Sequence, residues 1–290
     1  MKTYKEFRSG GWFTRLLERG GVFERRRGNL LILSRHKILD QVALDILNGL
    51  SDDFSLPQKT IVYIGTHKPF GWDYFRRGFK IGIQTEHFQD ENAKPLVRFG
   101  IKFRKTVKSY ARFDAILEMY TNNKPLYDTL PEEIRAKTTF GPFIFPTKEP
   151  EYSPEGDGKV IFFGTLASEH RKNCVSRIPP EKLTVLTEVL FGNDLLEEIT
   201  KHSAVLNLHF IEGVYTEYPR LVTALYAGKP VVSEELSSDL RPGVHYVLLK
   251  DLDKTHDPKA IFENFAAKVT TEYSFEGYIQ SLFDGLPKNQ

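Results

Sequence analysis

Cysteine is nearly absent from the sequence. Of 290 residues only Cys174 is a cysteine, so no internal disulfide can form and we expect no cysteine-based metal site. No paired nucleophile motif surrounds Cys174, and we interpret it as a small, partly buried core filler.

Long apolar runs are also missing. No run approaches the roughly 18 residues that cross a membrane, and the N-terminal MKTYKEFRSGGWFTRLL lacks the apolar core of a signal peptide. We therefore expect a cytoplasmic protein. The segment GGWFTRLLERGGVFERRRG places Trp12, Phe13, Leu16 and Leu17 beside a basic face, which would allow peripheral contact with the inner face of a membrane.

The net charge of +2 hides an uneven distribution. Residues 1–37 hold ten Lys/Arg against three Glu, and residues 94–112 hold seven Lys/Arg and no acid. A basic surface of this kind attracts nucleic acid, anionic lipid or a phosphorylated substrate. It is equally consistent with a solvated face that binds nothing.

Short apolar runs alternate with helix-compatible segments along the whole chain, which predicts an α/β fold. The predicted strands are residues 29–34, 60–65, 80–84, 113–119, 159–164, 182–187, 204–210, 229–233 and 245–249. The predicted helices are residues 37–49, 93–111, 193–201, 217–227 and 257–269. Continuous apolar strands are typical of parallel sheets buried on both faces.

The alternation is interrupted by GPFIFPTKEPEYSPEGDGK (141–159), whose four prolines and three glycines favour a linker. We predict two Rossmann-like domains with parallel sheets facing an interdomain cleft. Their predicted bounds are residues 1–145 for the N-terminal domain, 146–158 for the linker, 159–270 for the C-terminal domain and 271–290 for a C-terminal helix that crosses back to the first domain.

Ligands of open parallel sheets bind beyond the carboxyl ends of the strands. After VIFFG come Gly164, Thr165 and Arg171, a pattern that suits a phosphate held by backbone N–H groups and a helix N-terminus. The chain has no GxxxxGK[ST] or GxGxxG motif, so a tight βα turn is the alternative. After AVLNLHF we predict Thr216 as a helix N-cap, with Glu217 and Arg220 on one helix face. An ordinary intrahelical ion pair is the other interpretation of those two residues.

The stretch EGVYTEYPRLVTALYAGKPVVSEE, preceded by SAVLNLH and VIFFGTLASEHRKN, resembles the nucleotide-sugar domain of GT-B glycosyltransferases. It looks closest to the branch with a glycosyl transferase family 1-like C-terminal domain, including spore-maturation-type proteins, over about residues 159–250. The resemblance implies that Gly164, Thr165 and Arg171 approach the donor diphosphate. It also implies donor contacts by the loop and helix start that follow AVLNL: His209, Glu212, Gly213, Thr216, Glu217 and Arg220. The chain departs from the family's E-x7-E pattern, because Thr223 stands where the second acid is expected.

No metal or other cofactor is predicted. Asp251-x-Asp253 is similar to the metal-binding DxD of GT-A transferases, but it follows the last core strand. His202, His209 and His245 lack the spacing of a zinc site.

In the first half, a general base is expected at a strand end. Glu86 is the leading candidate and His67 the second, although a polar residue at such a position also caps helices and turns. For the acceptor we predict contacts from Trp72, Tyr74 and Arg76 in HKPFGWDYFRRGF. Core aromatics with snorkelling arginines are the alternative.

The resemblance implies a metal-independent glycosyltransferase, with the nucleotide sugar bound by the domain of residues 159–270 and the acceptor by the domain of residues 1–145. It would move a sugar from a nucleotide-diphosphate sugar to a hydroxyl of a cell-surface glycan or lipid-linked acceptor, in polysaccharide biosynthesis. The alternatives are a glycosyltransferase for modified bases of DNA, a sugar epimerase of the same fold, and a non-catalytic nucleotide-binding protein.

Overall fold

A computed structural model of the protein describes residues 22–96 and 102–284. They divide into two compact units, one of residues 22–89, 95–96, 102–148 and 272–284, the other of residues 90–94 and 149–271. The predicted membrane-facing segment around Trp12 to Leu17, and residues 97–101 of the basic stretch, lie outside the described residues.

Both units alternate strands and helices, so the predicted α/β class is confirmed. The strands are β1 (Phe23–Arg27), β2 (Leu30–Ser34), β3 (Thr60–Ile64), β4 (Phe79–Gln84), β5 (Ala115–Glu118), β6 (Thr138–Phe140), β7 (Val160–Phe163), β8 (Leu183–Leu186), β9 (Ala204–Asn207), β10 (Val231–Ser233) and β11 (Val247–Leu248). The α-helices are α1 (Lys37–Gly49), α2 (Phe103–Thr106), α3 (Lys124–Tyr127), α4 (Glu132–Ala136), α5 (Glu169–Ser176), α6 (Gly192–Thr200), α7 (Tyr218–Tyr226), α8 (Pro258–Glu272) and α9 (Phe275–Ser281). Short 3₁₀ helices cover Gly71–Phe75, Val107–Arg112, Thr121–Asn123, Pro180–Lys182 and Leu249–Asp251.

The first unit is built on a six-stranded sheet whose strands follow chain order from β1 to β6. Strand β1 pairs antiparallel with β2, and all later pairs are parallel. Every residue of β2 and β3 is buried, as expected for strands covered on both faces.

The edge strand β1 contains charged residues, and one of them binds helix α1. Arg25 donates two hydrogen bonds to the carboxylate of Asp40 in that helix, from Nε to Oδ1 at 2.9 Å and from Nη2 to Oδ2 at 2.6 Å. Helix α1 begins after His36, whose ring accepts a hydrogen bond from the backbone N–H of Ile38. The charged edge thus anchors the first helix to the sheet.

Helix α9 belongs to the first unit although it follows the whole of the second in sequence. The carboxylate of Glu276 accepts bonds from the backbone N–H of Ser51 at 2.6 Å and from its hydroxyl at 2.7 Å. Tyr278 stacks on Phe143 with ring centroids 5.4 Å apart. The first unit is therefore made of three separate stretches of chain, the last of which follows the second unit.

The second unit contains a five-stranded parallel sheet in the order β11-β10-β9-β7-β8. From β7 the chain passes to β8 on one side, and β9 returns to the other side of β7. The strand order reverses between β7 and β9, and such a topological switch point is where open α/β sheets bind ligands.

Among the helices of the described residues, none combines the length and the apolar character that crossing a membrane requires.

A glycine in the first sheet tests its packing. A Cβ added at Gly82 of β4 would lie 2.5 Å from the ring of buried Phe113, so Gly82→Ala should lower the free energy of unfolding by about 1–3 kcal/mol. The control is Gly277→Ala in α9, where the nearest atom is 3.8 Å away and alanine should be neutral or stabilising by up to about 1 kcal/mol. Denaturant midpoints measure both, and an unchanged midpoint for Gly82→Ala would contradict the close packing of Phe113 on Gly82.

Candidate functional site

The switch point of the second sheet is lined by the residues that follow β7 and β9. Gly164 and Thr165 follow β7 and are exposed. Gly164 has φ +147°, and a Cβ at this position would lie 3.1 Å from Nη2 of Arg220. A glycine is needed here because the backbone comes so close to a guanidinium.

Arg171 lies on α5 and is only 1% exposed. Its Nε and Nη2 donate to the backbone oxygen of Leu208 at 3.1 and 2.9 Å, and Nη1 donates to that of Thr165 at 3.1 Å. Nη2 also lies 2.9 and 2.8 Å from the carboxylate oxygens of Glu217. The side chain predicted to approach a diphosphate therefore lies beneath the edge of the sheet and ties the ends of β7 and β9 together.

Arg220 of α7 approaches the same carboxylate from the other side. Its Nη1 lies 3.1 Å from Oε2 of Glu217 and 2.6 Å from Oδ1 of Asn207, which ends β9. The ion pair between Glu217 and Arg220, which the sequence allowed as an ordinary intrahelical pair, is thus present. Arg171 adds a second cation to it. We call Arg171, Glu217 and Arg220 the arginine cluster.

The arginine cluster carries more positive than negative charge. Two guanidinium groups share one carboxylate, and the ring of Phe162 lies 5.5 and 5.3 Å from the Cζ atoms of Arg171 and Arg220. Aromatic faces and backbone oxygens partly compensate buried cations. A net positive charge therefore remains directly under the exposed Gly164–Ala167 loop.

Helix α5 begins above this cluster with Ser168 as its N-cap. The Ser168 hydroxyl accepts from the backbone N–H of Arg171 at 3.3 Å and donates to the backbone oxygen of Phe210. Upstream, the Thr165 hydroxyl accepts from the N–H of Ala167 at 3.1 Å. The loop is therefore ordered by its own hydrogen bonds and held to the segment after β9.

The segment between β9 and α7 separates into buried and exposed residues. His209 is fully buried and its ring stacks on Tyr215 at 4.2 Å, and burial lowers the pKa of His209, which favours the neutral ring. Glu212 is exposed and Gly213 is partly exposed. The stacked rings of His209 and Tyr215 therefore hold the backbone between β9 and α7 from its buried side.

The start of α7 differs from the prediction. The helix begins at Tyr218 with Glu217 as its N-cap residue, and Pro219 lies in the first turn. Thr216 is buried and accepts a hydrogen bond from the N–H of Ser237 at 3.1 Å, so its predicted N-cap role is wrong. Proline is common in a first helical turn, and this signal marked the true start.

Thr223 occupies the position of the missing family acid. It lies inside α7, is buried, and donates to the backbone oxygen of Pro219 at 3.1 Å. Glu217 instead is the acid that the fold brings to the switch point.

One cavity in the second unit was not predicted from the sequence. It has a volume of about 450 Å³ and is lined by Glu91, Asn92, Val214, Glu235, Leu236, Ser238, Leu240, Arg241, Pro242 and Tyr246. The backbone N–H of Glu91 donates to Val214 at 2.9 Å, and its carboxylate accepts from the N–H of Ser238 at 2.9 Å. Residues 90–94 come from the first half of the chain, so no local pattern linked them to this site.

In the first unit the structure brings the two predicted bases together. His67 follows β3 and Glu86 follows the neighbouring β4, and Nδ1 of His67 lies 3.4 Å from Oε1 of Glu86. Burial lowers the pKa of His67 to about 4, with smaller contributions from Lys68 and His36. His67 is therefore neutral at pH 7, the form that accepts a proton.

Glu118 at the end of β5 is an ionisable group that the sequence analysis missed. It is fully buried and accepts bonds from Gln84, from the backbone of Tyr120 and from the Tyr127 hydroxyl. Burial raises the pKa of its carboxyl to about 7 against the effect of these bonds. It belongs to the interior of the sheet and does not reach a surface.

The three predicted acceptor residues have different environments. Trp72 is 87% exposed and lies beside exposed Phe75, with ring centroids 5.7 Å apart. Tyr74 is 7% exposed and stacks on Tyr63 in the core, the environment of the core-aromatic alternative. Arg76 is paired with Asp73 at 2.8 Å and with Glu24 at 3.0 Å.

The aspartates and histidines considered as metal ligands in the sequence analysis have separate partners. Asp251 pairs with Lys254 and Asp253 with Lys182. His202 lies against Asp157, and His245 accepts from the backbone of Arg241.

By sequence, no protein-family model and no curated protein matches the chain. Among solved structures, a crystal structure of TarM matches with 10% identity and a TM-score of 0.45, over 84% of this chain and 57% of that one. The crystal structure of a GtfA/B complex bound to UDP and GlcNAc matches with 10% identity and a TM-score of 0.33, over 92% of this chain and 64% of that one. This chain thus spans less than two thirds of the length of either structure.

The arginine cluster makes a prediction about stability. Arg171→Gln removes the closer of the two cations of Glu217 and two of the donors to the buried Leu208 oxygen, while Arg220 still pairs with Glu217, and should cost about 1–3 kcal/mol. The matched control is the next residue, Lys172→Gln, whose exposed pair with Glu169 should contribute no more than about 1 kcal/mol. Chemical denaturation of both variants measures the difference, and equal costs would show that the cluster contributes little to stability.

Proposed function

We propose that the chain is a glycosyltransferase of the GT-B type that transfers a sugar from a nucleotide-diphosphate sugar to a hydroxyl group. The observation that carries the proposal is the net positive arginine cluster under an exposed glycine loop at the switch point of a parallel sheet. The acceptor we propose is a cell-surface glycan or a lipid-linked saccharide. Membership of the spore-maturation-type branch stays a prediction from the sequence motif.

On the donor side, the loop Gly164–Ala167 offers exposed backbone next to the N-terminus of α5. A diphosphate in this place would accept backbone N–H bonds and lie in the positive field of the cluster. Arg220, whose Nη2 lies near Gly164, is the cluster member proposed to contact it. Arg171 holds the loop from beneath. These groups supply the stabilisation of the leaving diphosphate, and we propose no metal for that step.

On the acceptor side, we propose that neutral His67 accepts the proton of the attacking hydroxyl. The hydroxyl oxygen bonds to the anomeric carbon of the donor as the bond from that carbon to the diphosphate oxygen breaks. Glu86 would orient the imidazole and stabilise it once protonated. The exposed face of Trp72 suits the apolar face of a sugar ring.

A thermal-shift panel tests donor binding. Nucleoside diphosphates and nucleotide sugars should raise the melting temperature of the full chain, because a ligand bound only by the folded state stabilises it. Gly164→Ala should weaken this binding at least tenfold, since the new methyl group meets Arg220. The control is Gly158→Ala, where φ is also positive, at +81°, but no atom lies within 4 Å of the added Cβ. If no nucleotide stabilises the protein, the proposed function is wrong.

The base is tested by His67→Gln, which should lower turnover by about 10²–10⁴-fold and leave donor binding intact. The control is His36→Asn. It replaces an exposed histidine that follows the neighbouring strand β2, and asparagine can still cap the N-terminus of α1.

The pH profile provides a second readout of the base. Since the pKa of His67 is lowered to about 4, the acid limb of kcat/KM in the wild type should lie near pH 4 and not near 6.5. Full turnover by His67→Gln would exclude His67 as the base, whereas a limb at the ordinary histidine value would contradict the lowering of its pKa by burial.

A further inference from the structure

Three side chains with metal-binding chemistry converge beside α5. His170 and Cys174 are four residues apart and share one face of this helix, and Glu234 directly follows β10. Nε2 of His170 lies 2.6 Å from Oε1 of Glu234 and 3.7 Å from Sγ of Cys174. One potential ligand atom from each residue lies within 4.8 Å of the other two.

The third member of the group is held in place by the sheet. The second carboxylate oxygen of Glu234, Oε2, accepts a hydrogen bond of 2.8 Å from the backbone N–H of His209. Metal-binding carboxylates are commonly fixed by a hydrogen bond of this kind. The orientation of Glu234 toward His170 is therefore set before any ligand binds.

The arrangement does not suit a nucleophilic cysteine. In a relay, the nucleophile and the carboxylate contact different nitrogens of the histidine, whereas Cys174 and Glu234 both approach Nε2. Burial and the neighbouring Glu234 carboxylate raise the pKa of the Cys174 thiol to about 11. A reactive cysteine needs the opposite shift.

The side-chain atoms Nε2 of His170, Sγ of Cys174 and Oε1 of Glu234 instead have the arrangement of ligands around a cation. With Zn–S near 2.3 Å and Zn–N near 2.0–2.1 Å, a tetrahedral zinc ion separates sulfur from nitrogen by about 3.6 Å. The separation of 3.7 Å between Cys174 and His170 fits this value. The oxygen and nitrogen of Glu234 and His170 would have to move apart by about 0.7 Å, which breaks their hydrogen bond.

We propose that His170, Cys174 and Glu234 bind a Zn²⁺ ion, with water as the fourth ligand. The mixture of thiolate, imidazole and carboxylate suits zinc, and not magnesium or calcium, which prefer oxygen ligands. The ion would join α5 to the end of β10. The site does not depend on the proposed glycosyl transfer, and it replaces the expectation that a single cysteine excludes a cysteine-based metal site.

The only cysteine of the chain makes the test specific. The full-length protein is stripped with a chelator and titrated with Co²⁺, and a thiolate-to-cobalt charge-transfer band can then arise only from Cys174. The band should saturate at one equivalent, and Zn²⁺ should abolish it and raise the melting temperature.

Variants assign the other two ligands. His170→Gln and Glu234→Gln should each weaken Co²⁺ binding by at least tenfold, and Cys174→Ser should remove the band. The control His202→Gln changes a histidine of the same unit that is paired with Asp157, and it should leave binding unchanged. Melting curves without metal identify any variant that is unfolded.

Alkylation provides an independent measurement on the unaltered chain. Zn²⁺ should slow the reaction of Cys174 with iodoacetamide at least tenfold. The proposal is overturned if no charge-transfer band forms, if the band is equally strong in His170→Gln and Glu234→Gln, or if Zn²⁺ leaves the alkylation rate unchanged.

Discussion

The carboxylate of Glu217 is the contact on which the rest of the second unit's site depends. It lies between two arginines that come from different helices, and each arginine also binds the backbone oxygen of Leu208. Removing a charge from water is expensive, and only several well-placed partners offset that cost. In this cluster the partners are the ends of β7 and β9 themselves. The same bonds that satisfy the arginines therefore fix the position of the loops around them.

Two arginines that look alike in the sequence have different surroundings in this arrangement. Arg171 is directed inward and holds the loops, whereas Arg220 reaches the underside of Gly164. An anion that binds above would find a positive field and fixed N–H groups without having to reorganise them. Preorganisation of this kind is the main source of electrostatic stabilisation in enzyme sites.

The strongest sequence signals predicted the fold well. All nine predicted strands are present, because continuous apolar runs such as TIVYI leave few alternatives. Strands β1 and β6 were missed: FERRR is a charged edge strand, and Thr138–Phe140 is only three residues long. Helix α1 was predicted with its bounds, since His36 and Leu50 flank a regular amphipathic stretch.

The site was less predictable because it depends on distances through space. The sequence identified His67 and Glu86 separately, and the adjacent pairing of β3 and β4 brings them together. It could not distinguish Trp72 from Tyr74, because the turn that exposes one buries the other. Glu234 lies sixty positions beyond Cys174 and Glu91 lies far from Ser238, so neither pairing leaves a local pattern. Side-chain partners of this kind are set by topology and not by spacing.

The position of α9 affects how the protein can fold as it is made. Its Glu276 contacts Ser51 across 225 positions of sequence, so the six-stranded unit begins the chain but is completed by a segment that leaves the ribosome after the entire five-stranded unit. During synthesis the second unit is therefore able to finish first, while the first waits with the face that receives α9 uncovered. A chain of this design has a long interval in which apolar surface is open, and chaperones would find their binding site there.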